Sequence, residues 1–302
     1  MPLARPRTLI ACTLAAVSLS LTGVAPAPAT PVSSTNSQAA STLPVRIGTY
    51  NILCTVGTAT FRSAVEGLVP RVDVAGLQEV NSHEKEAVLA SLSSSGWAYW
   101  RSEVDHAEQN PVIWNTNRFR LLGARVVKLN EPGWIGNERP GPNTIHTMYA
   151  SVVHLRDLAT DQDVSIVNTH LVAGAVKAGR MTPGRKRLFN IYREQVRSLA
   201  DLTRTERAWG NTFVMGDLNV GWVADERERL RRLPFMTFRR QSMPSMWRTQ
   251  IPSANRGTHE NALIDQIYYK NKAASTSVEF DLKYSDHRPA IATYNLDVLA
   301  AS

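Results

Sequence analysis

Short apolar runs recur along most of the chain, and many alternate with polar residues in the period-2 manner of half-buried strands. The pattern predicts strands over residues 45–52, 72–78, 111–114, 126–129, 148–155, 164–168, 212–215, 264–269 and 290–296. Residues 97–100 (WAYW) read as the start of a further strand at the edge of the core. Helical spacing appears between some of these runs. Asn81 followed by Glu84 predicts a capped helix start, with the helix ending near Gly96. The longest helix is predicted over residues 185–207, where Leu188, Ile191, Tyr192, Val196, Leu199 and Leu202 form one apolar stripe and Gly210 follows. Many strands with helices interspersed predict an α/β architecture of two packed sheets flanked by helices.

Only one stretch is apolar enough to suggest a bilayer, and it lies at the N-terminus. Arg5 and Arg7 precede an apolar run over residues 9–24, and Ala27-Pro28-Ala29 supplies an A-x-A cleavage site. Residues 1–29 therefore read as a secretory signal peptide, and the protein is expected to be secreted after cleavage near Ala29, with no stable membrane anchor. Leu9-Ile10-Ala11-Cys12 resembles a lipoprotein box, but most of the apolar run follows Cys12 instead of preceding it, which argues against lipidation. Residues 30–44 carry no charge and no periodic pattern and read as a flexible linker. Residues 45–302 contain no second linker, low-complexity tract or repeat and read as one domain.

Composition narrows the class. In 302 residues, 43% hydrophobic and 20% charged content excludes wholesale disorder, collagen-like repeats and a polytopic membrane protein. The net charge is +8; removing the two arginines of residues 1–29, which hold no acid, leaves +6. A secreted basic protein favours anionic partners such as nucleic acid, phospholipid headgroups or cell-wall polymers. Cys12 departs with the signal peptide, so Cys54 is alone and no intrachain disulfide can form. At a strand end in an apolar context, Cys54 reads as a buried structural thiol.

The residues that carry chemistry are the polar ones interrupting the strands. Asn51 follows the apolar segment VRIGTYNI, Glu79 ends VAGLQEV, His170 ends SIVNTHL, and Asp217 with Asn219 closes TFVMGDLN. Asp265 lies inside LIDQIYY, and Asp286-His287 in YSDHRP precedes the last strand. Such groups are costly to bury unless paired or ligating. Singly, an Asn or Asp after a strand is a common turn residue; as a set, they are expected to converge on one end of the sheets. Carboxylates suit a hard cation such as Mg²⁺, which offsets charge on phosphoryl oxygens and the leaving group. An Asp–His pair supplies a general base for water, and amides with a second His donate to a charged phosphate. These are the ingredients of metal-assisted phosphoester hydrolysis. There is no Cys/His zinc spacing, G-x-S-x-G, Walker-type glycine loop or G-x-G-x-x-G, which argues against zinc proteases, α/β-type serine hydrolases and nucleotide-dependent enzymes.

The ordered series TYNI, LQEV, NTHL, GDLN, LIDQIYY and SDHRP resembles the endonuclease/exonuclease/phosphatase superfamily. That group includes deoxyribonuclease I, AP endonucleases, inositol-polyphosphate 5-phosphatases and neutral sphingomyelinases. The match runs from Val45 to about Leu296. The resemblance implies a four-layer α/β sandwich with two central mixed β-sheets flanked by helices. It implies Glu79 as the main Mg²⁺ ligand, with Asn51 and Asp286 near the metal and Mn²⁺ or Ca²⁺ as alternative ions. His287 would be the general base, oriented and made more basic by Asp265. Asp217 would position the attacking water, Asn219 would hold the phosphate, and His170 would contact a phosphoryl oxygen. Deoxyribonuclease-like members pair the equivalent of His170 with a second Glu; by position Glu108 is the candidate, with a solvated loop carboxylate as the alternative. Asn115 and Asn168 are expected to serve in turns or hydrogen bonds.

Specificity is expected in the loops. The segment after His170, VAGAVKAGRMTPGRKRLFN, carries Lys177, Arg180, Arg185, Lys186 and Arg187 with no acid. Lining a cleft mouth, Lys177, Arg180 and Arg185 would favour a polyanion, with nucleic acid as the expected substrate. Arg227, Arg229, Arg231 and Arg232 read as an exposed amphipathic helix, and His259, Trp134 and Trp222 are further candidates for lying near substrate. Neither tryptophan loop has the long apolar character that membrane insertion needs, so a nuclease is favoured over a phospholipid or sphingomyelin phosphodiesterase or an inositol-phosphatase-like phosphomonoesterase. A non-catalytic binder on the same fold is the remote alternative, disfavoured because no member of the catalytic set is replaced. No protein partner is expected, and the chain is expected to be a monomer.

Overall fold

A computed structural model describes residues 44–253 and 256–296. The signal peptide expected over residues 1–29 lies outside them, as does the linker up to residue 43; Pro44, assigned to the linker from sequence, already opens the first strand. In chain order the elements are β1 (Pro44–Asn51), α1 (Thr58–Leu68), β2 (Val74–Gln78), α2 (His83–Ser91), β3 (Trp97–Trp100), β4 (Val112–Asn115) and β5 (Phe119–Lys128). A hairpin of β6 (Gly133–Trp134) and β7 (Thr144–Ile145) precedes β8 (Tyr149–Asp157) and β9 (Gln162–His170). A second hairpin, β10 (Val176–Lys177) and β11 (Arg180–Met181), leads to α3 (Lys186–Glu206) and β12 (Asn211–Asp217). There follow α4 (Trp222–Glu228), α5 (Pro234–Arg239), β13 (Asp265–Tyr268), β14 (Ser275–Val278) and β15 (Ala290–Asn295).

Two large mixed sheets form the centre. One has the order β14-β15-β1-β2-β4-β3, with β1 parallel to β2 and its other pairs antiparallel. The other has the order β13-β12-β9-β8-β5, with only β9 and β12 parallel. Successive side chains on a strand point to opposite faces, and this period sorts the core into three layers. Val45, Ile47, Val74, Ile166, Phe213, Met215 and Ile267 fill the space between the sheets. Phe61, Ala64, Val65 and Leu68 of α1 and Val88 and Leu89 of α2 cover the outer face of the first sheet through Tyr50, Ala75 and Leu77. Leu188, Tyr192, Val196 and Leu199 of α3 cover the second through Val152, Val167 and Val214. The result is the four-layer α/β sandwich expected from sequence. Among the described residues no helix is long and apolar enough to cross a membrane.

The same period positions the polar residues. Asn51 shares the inter-sheet face with Val45 and Ile47; His170 shares it with Val164 and Ile166; Asp217 with Phe213 and Met215; and Asp265 with Ile267. Between the apolar core and these strand ends lies a buried polar layer. Asn168 donates to the carbonyls of Leu77 and Pro111 across the gap and accepts from Gln78 Nε2 at 2.7 Å, while Thr49 and Gln78 bond to each other. Gly76 permits this approach: a Cβ there would fall inside the van der Waals shell of Asn168 Oδ1. The hydrogen-bonding duty expected of Asn168 is thus observed, and Asn115 closes a turn by accepting from the Asn117 amide.

Some local expectations are corrected. Ser82, not Asn81, caps α2, its Oγ accepting from the Lys85 amide; the helix stops at Ser91, and a 3₁₀ turn leads to Gly96 in a left-handed conformation (φ 75°). Arg227–Arg232 do not form one amphipathic helix, because α4 ends at Glu228 and Arg229 is left-handed. Helix α1 and strand β14 were not predicted: α1 opens with the β-branched Thr58 and Thr60, and β14, an edge strand, buries only Val278.

Candidate active site

The site forms where both sheets end together. Asn51 stands at its centre: its Nδ2 donates to Glu79 Oε1 (2.9 Å) and to Asp217 Oδ2 (3.1 Å), joining the first sheet to the second. Glu79 directly follows β2 with φ 65°, a conformation L-residues adopt only when their surroundings enforce it. The Cys54 amide donates to Glu79 Oε2 at 2.8 Å and holds the carboxylate in the site. His170 and Asp217 are paired across β9 and β12, with His170 Nε2 3.4 Å from Asp217 Oδ2. Gly216 is required beside them, since a Cβ at its φ of 142° would strike the Thr169 carbonyl.

His287 enters from the loop before β15. Its Nδ1 lies 2.8 Å from Asp265 Oδ2, and its Nε2 lies 3.7 Å from Asp217 Oδ2. Accepting at Nδ1, the carboxylate fixes the hydrogen there and leaves Nε2 as the working nitrogen. Asp265 is fully buried and is held by Thr258 Oγ1 accepting from its amide and by Trp247 Nε1 donating to its carbonyl. Burial works against charge on His287, but Asp265, Asp217 and Asp286 outweigh it and hold the imidazole up at about 10. Burial likewise opposes ionisation of Glu79, yet the Asn51 amide, the Cys54 amide and the charge of His170 hold its carboxyl below the ordinary range.

These residues fit a divalent cation. Asn51 Oδ1 is buried and accepts no hydrogen bond, an oxygen left over once its nitrogen is shared between two carboxylates. Beside it stands the ionised Glu79, so the donors are hard oxygens. Asp217, Asp265 and His287 also place ligand atoms within 4.8 Å of one another, as do His259, Asp286 and His287. The first of these groups holds a hydrogen-bonded dyad beside a carboxylate, Asp265 Oδ2 bonding His287 while Asp265 Oδ1 is buried without a hydrogen-bond partner.

Not every expected residue meets the centre in the expected way. Asp286 is exposed and lies by His259, whose Nε2 is 3.6 Å away, while Ser285 Oγ donates to its Oδ1. Asn219 is left-handed (φ 51°) and braced, its amide donating to Asp217 Oδ1 and its Nδ2 to the Leu171 carbonyl. Among the described residues no ion pair joins Glu108 to His170; Glu108 Oε2 is buried without a hydrogen-bond partner. His259 does reach the site, its ring 4.6 Å from that of His287. Trp222 does not: it is buried in the inter-sheet core. Cys54 is not a buried core thiol but is half-buried against Glu79, where burial and that carboxylate raise its pKa.

The basic loop after His170 folds into the β10–β11 hairpin. Its segment holds no acid in sequence, but in space Arg180 pairs with Glu228 at 2.6 Å, and Arg185 Nη1 donates to the Gly174 carbonyl. Lys177 is exposed on the hairpin. Sequence reasoning missed Arg139, whose half-buried guanidinium leaves Nε without an acceptor and feels the charge of Arg185. Its loop is pinned by Glu138, which accepts from the Arg187 and Leu188 amides at the start of α3. Stacked beside it, His106 and His146 lie 3.9 Å apart, and His146 senses His170. The exposed Trp134 is covered by Arg187, 4.2 Å from the ring centre.

The sequence model described as the Endonuclease/Exonuclease/phosphatase family matches residues 48–287. No curated protein matches the chain by sequence. Among solved structures, the chain is similar to an endonuclease/exonuclease/phosphatase from Bacteroides vulgatus (18% identity, TM-score 0.59, covering 84% of this chain and 100% of that one). It is similar to truncated TDP2 of Caenorhabditis elegans (15% identity, TM-score 0.60, 83% and 97% covered). It is similar also to a mannosyl-6-phosphatase of Bacteroides thetaiotaomicron (13% identity, TM-score 0.61, 82% and 98% covered).

Proposed function

The chain belongs to the endonuclease/exonuclease/phosphatase family, whose members are phosphoester hydrolases, and from that premise we propose that it is a secreted, Mg²⁺-dependent nuclease that cleaves phosphodiester bonds of DNA or RNA. The observation that carries the hydrolytic reading is the Asp265–His287 pair set against Asp217, with Asn51 and Glu79 beside it. His287 Nε2 takes the proton of the attacking water, and Asp265 holds the ring in the tautomer that can do so. Asp217 orients that water, and its amide-bonded turn with Asn219 keeps it in place. His170, whose Nε2 lies 3.4 Å from Asp217 Oδ2, donates to a non-bridging phosphoryl oxygen as charge develops there. Glu79 and Asn51 Oδ1 would hold the cation, with Asp286 at its margin; once bound, it withdraws charge from the phosphoryl oxygens and offsets the carboxylate field on His287.

Support for a polyanionic substrate comes from the rim. Arg139 has no acceptor, Lys177 is exposed, and Arg185 stands near Arg139 at the His170 side of the cleft. A guanidinium left without a partner in a partly buried position suits a phosphate oxygen.

The test is hydrolysis by the purified protein with Mg²⁺, with and without chelator, of plasmid DNA, single-stranded DNA, RNA, sphingomyelin and a soluble inositol phosphate. Nicking of nucleic acid that stops in chelator and falls by about 10²–10⁴-fold in His287→Gln is expected. Release of phosphocholine or inorganic phosphate with nucleic acids intact would overturn the substrate and keep the hydrolytic site.

A further inference from the structure

Helix α3 turns its apolar side to the second sheet and a line of cations to the outside. At 100° per residue, Lys186, Arg193, Arg197 and Arg204 fall within about 20° of one line along the helix, and no acid shares that line. The line starts at the end of α3 that follows the β10–β11 hairpin and runs about 27 Å, at 1.5 Å per residue. Arg231, Arg232 and Arg240, from the chain around α5, face it across a groove of about 690 Å³. The groove contains six arginines against two acids, Glu194 and Asp201, and Asp201 is already bonded to Arg204. Among the described residues Arg193, Arg197, Arg231, Arg232 and Arg240 form no ion pair, and Arg193 Nε is buried without an acceptor.

Like charges gathered in a recess repel one another, and an anion that enters removes that repulsion. The shape and lining select the anion. Five of the six arginines are exposed, but they stand on two facing walls of a groove, whereas a bilayer presents its headgroups in one plane. An acidic protein would need apolar or aromatic anchors, yet the groove's uncharged lining is small or polar, with Asn190, Thr237 and Gln241 between the arginines. Guanidinium forks repeated along an elongated track match the repeated phosphates of a nucleic-acid backbone.

We propose that this groove is a second, non-catalytic nucleic-acid-binding site, which holds the phosphate backbone of a strand leading away from the reaction centre. The assignment extends the nuclease reading, and binding measured in chelator separates it from cleavage.

The experiment is fluorescence anisotropy of a labelled 20-nucleotide single strand and a 20-base-pair duplex with the full chain in EDTA, titrated with salt. The parent chain is expected to bind with a steep salt dependence. The triple variant Arg193→Gln/Arg197→Gln/Arg240→Gln is expected to bind at least tenfold more weakly and to flatten the slope of log K against log salt by about 2. Asp201→Asn, which frees Arg204, is expected to tighten binding. A thermal melt of each variant checks that it is folded. Unchanged affinity and slope in a folded triple variant would overturn the proposal. So would a parent chain whose arginine-dependent binding is to vesicles of anionic phospholipid and not to nucleic acid. Groove-dependent binding without cleavage in Mg²⁺ would keep this site and sink the nuclease reading; cleavage with groove-independent binding would do the reverse.

Discussion

Gly76 on the first sheet faces Asn168 on the second so closely that a single methyl group would displace the asparagine. Asn168 bonds to two carbonyls and one amide of the opposite sheet, so its place fixes how the sheets meet. Gly76→Ala is expected to destabilise the fold by about 1–3 kcal/mol, the usual cost of overpacking a filled core. Denaturant unfolding measures this, and turnover should fall further than the loss of folded protein explains.

Asp265 acts on His287 through charge and through the Nδ1 hydrogen bond. A base works only when unprotonated, so activity should fall as pH drops through a value above the ordinary 6.5 of histidine. Asp265→Asn should move that acid limb to lower pH and lower kcat by about 10²–10⁴-fold. The pH profile of kcat/KM for parent and variant checks both effects.

Cation binding should be visible without turnover. A ligand that binds only the folded state raises the unfolding midpoint with its concentration. Mg²⁺ is expected to do so for the parent chain and to lose most of that effect in Glu79→Gln and in Asn51→Leu, which remove the carboxylate charge and the unpartnered Oδ1. Differential scanning fluorimetry across a Mg²⁺ series reads this directly.

Asp225 gives a pH effect on stability. Burial raises its pKa to about 7, despite the Phe235 amide donating to its Oδ2. The unfolded chain releases this proton near 3.9, so between about pH 4 and 7 the folded state binds more protons and loses stability as pH rises. Asp225→Asn keeps an acceptor for the Phe235 amide and removes the buried charge. It should be more stable than the parent at pH 8, by on the order of 2–4 kcal/mol, and nearly equal to it at pH 4.

Much of the site was legible because a strand reports its faces in sequence. Asn51, His170, Asp217 and Asp265 each continue a row of apolar residues on one face, so a reader of the alternation finds the polar residue where the core ends. What sequence could not supply was partnership at long range. Arg180 looked free because Glu228 lies 48 residues away. Cys54 looked apolar because Glu79 reaches it from another strand. Trp222 follows the catalytic turn, yet α4 rotates it into the core. Arg139 sits in a loop with no periodic pattern, and only the folded chain shows that its guanidinium lacks an acceptor.

The hydrogen bond of Asn51 to Asp217 spans the seam between two separately hydrogen-bonded sheets, while its bond to Glu79 stays within the first. No strand ladder crosses that seam; among the described residues it is bridged by side chains and, beside the site, by the Arg288 amide donating to the Thr258 carbonyl. Each sheet on its own therefore carries an incomplete set of reacting groups. Turnover becomes a ruler for sheet docking: a sliding of a fraction of an ångström, too small to register as unfolding, would separate His170, Asp217 and Asp265 from Asn51 and Glu79. Substitutions deep between the sheets, at Ile47 or Phe213, should thus slow the chemistry by more than their loss of stability accounts for.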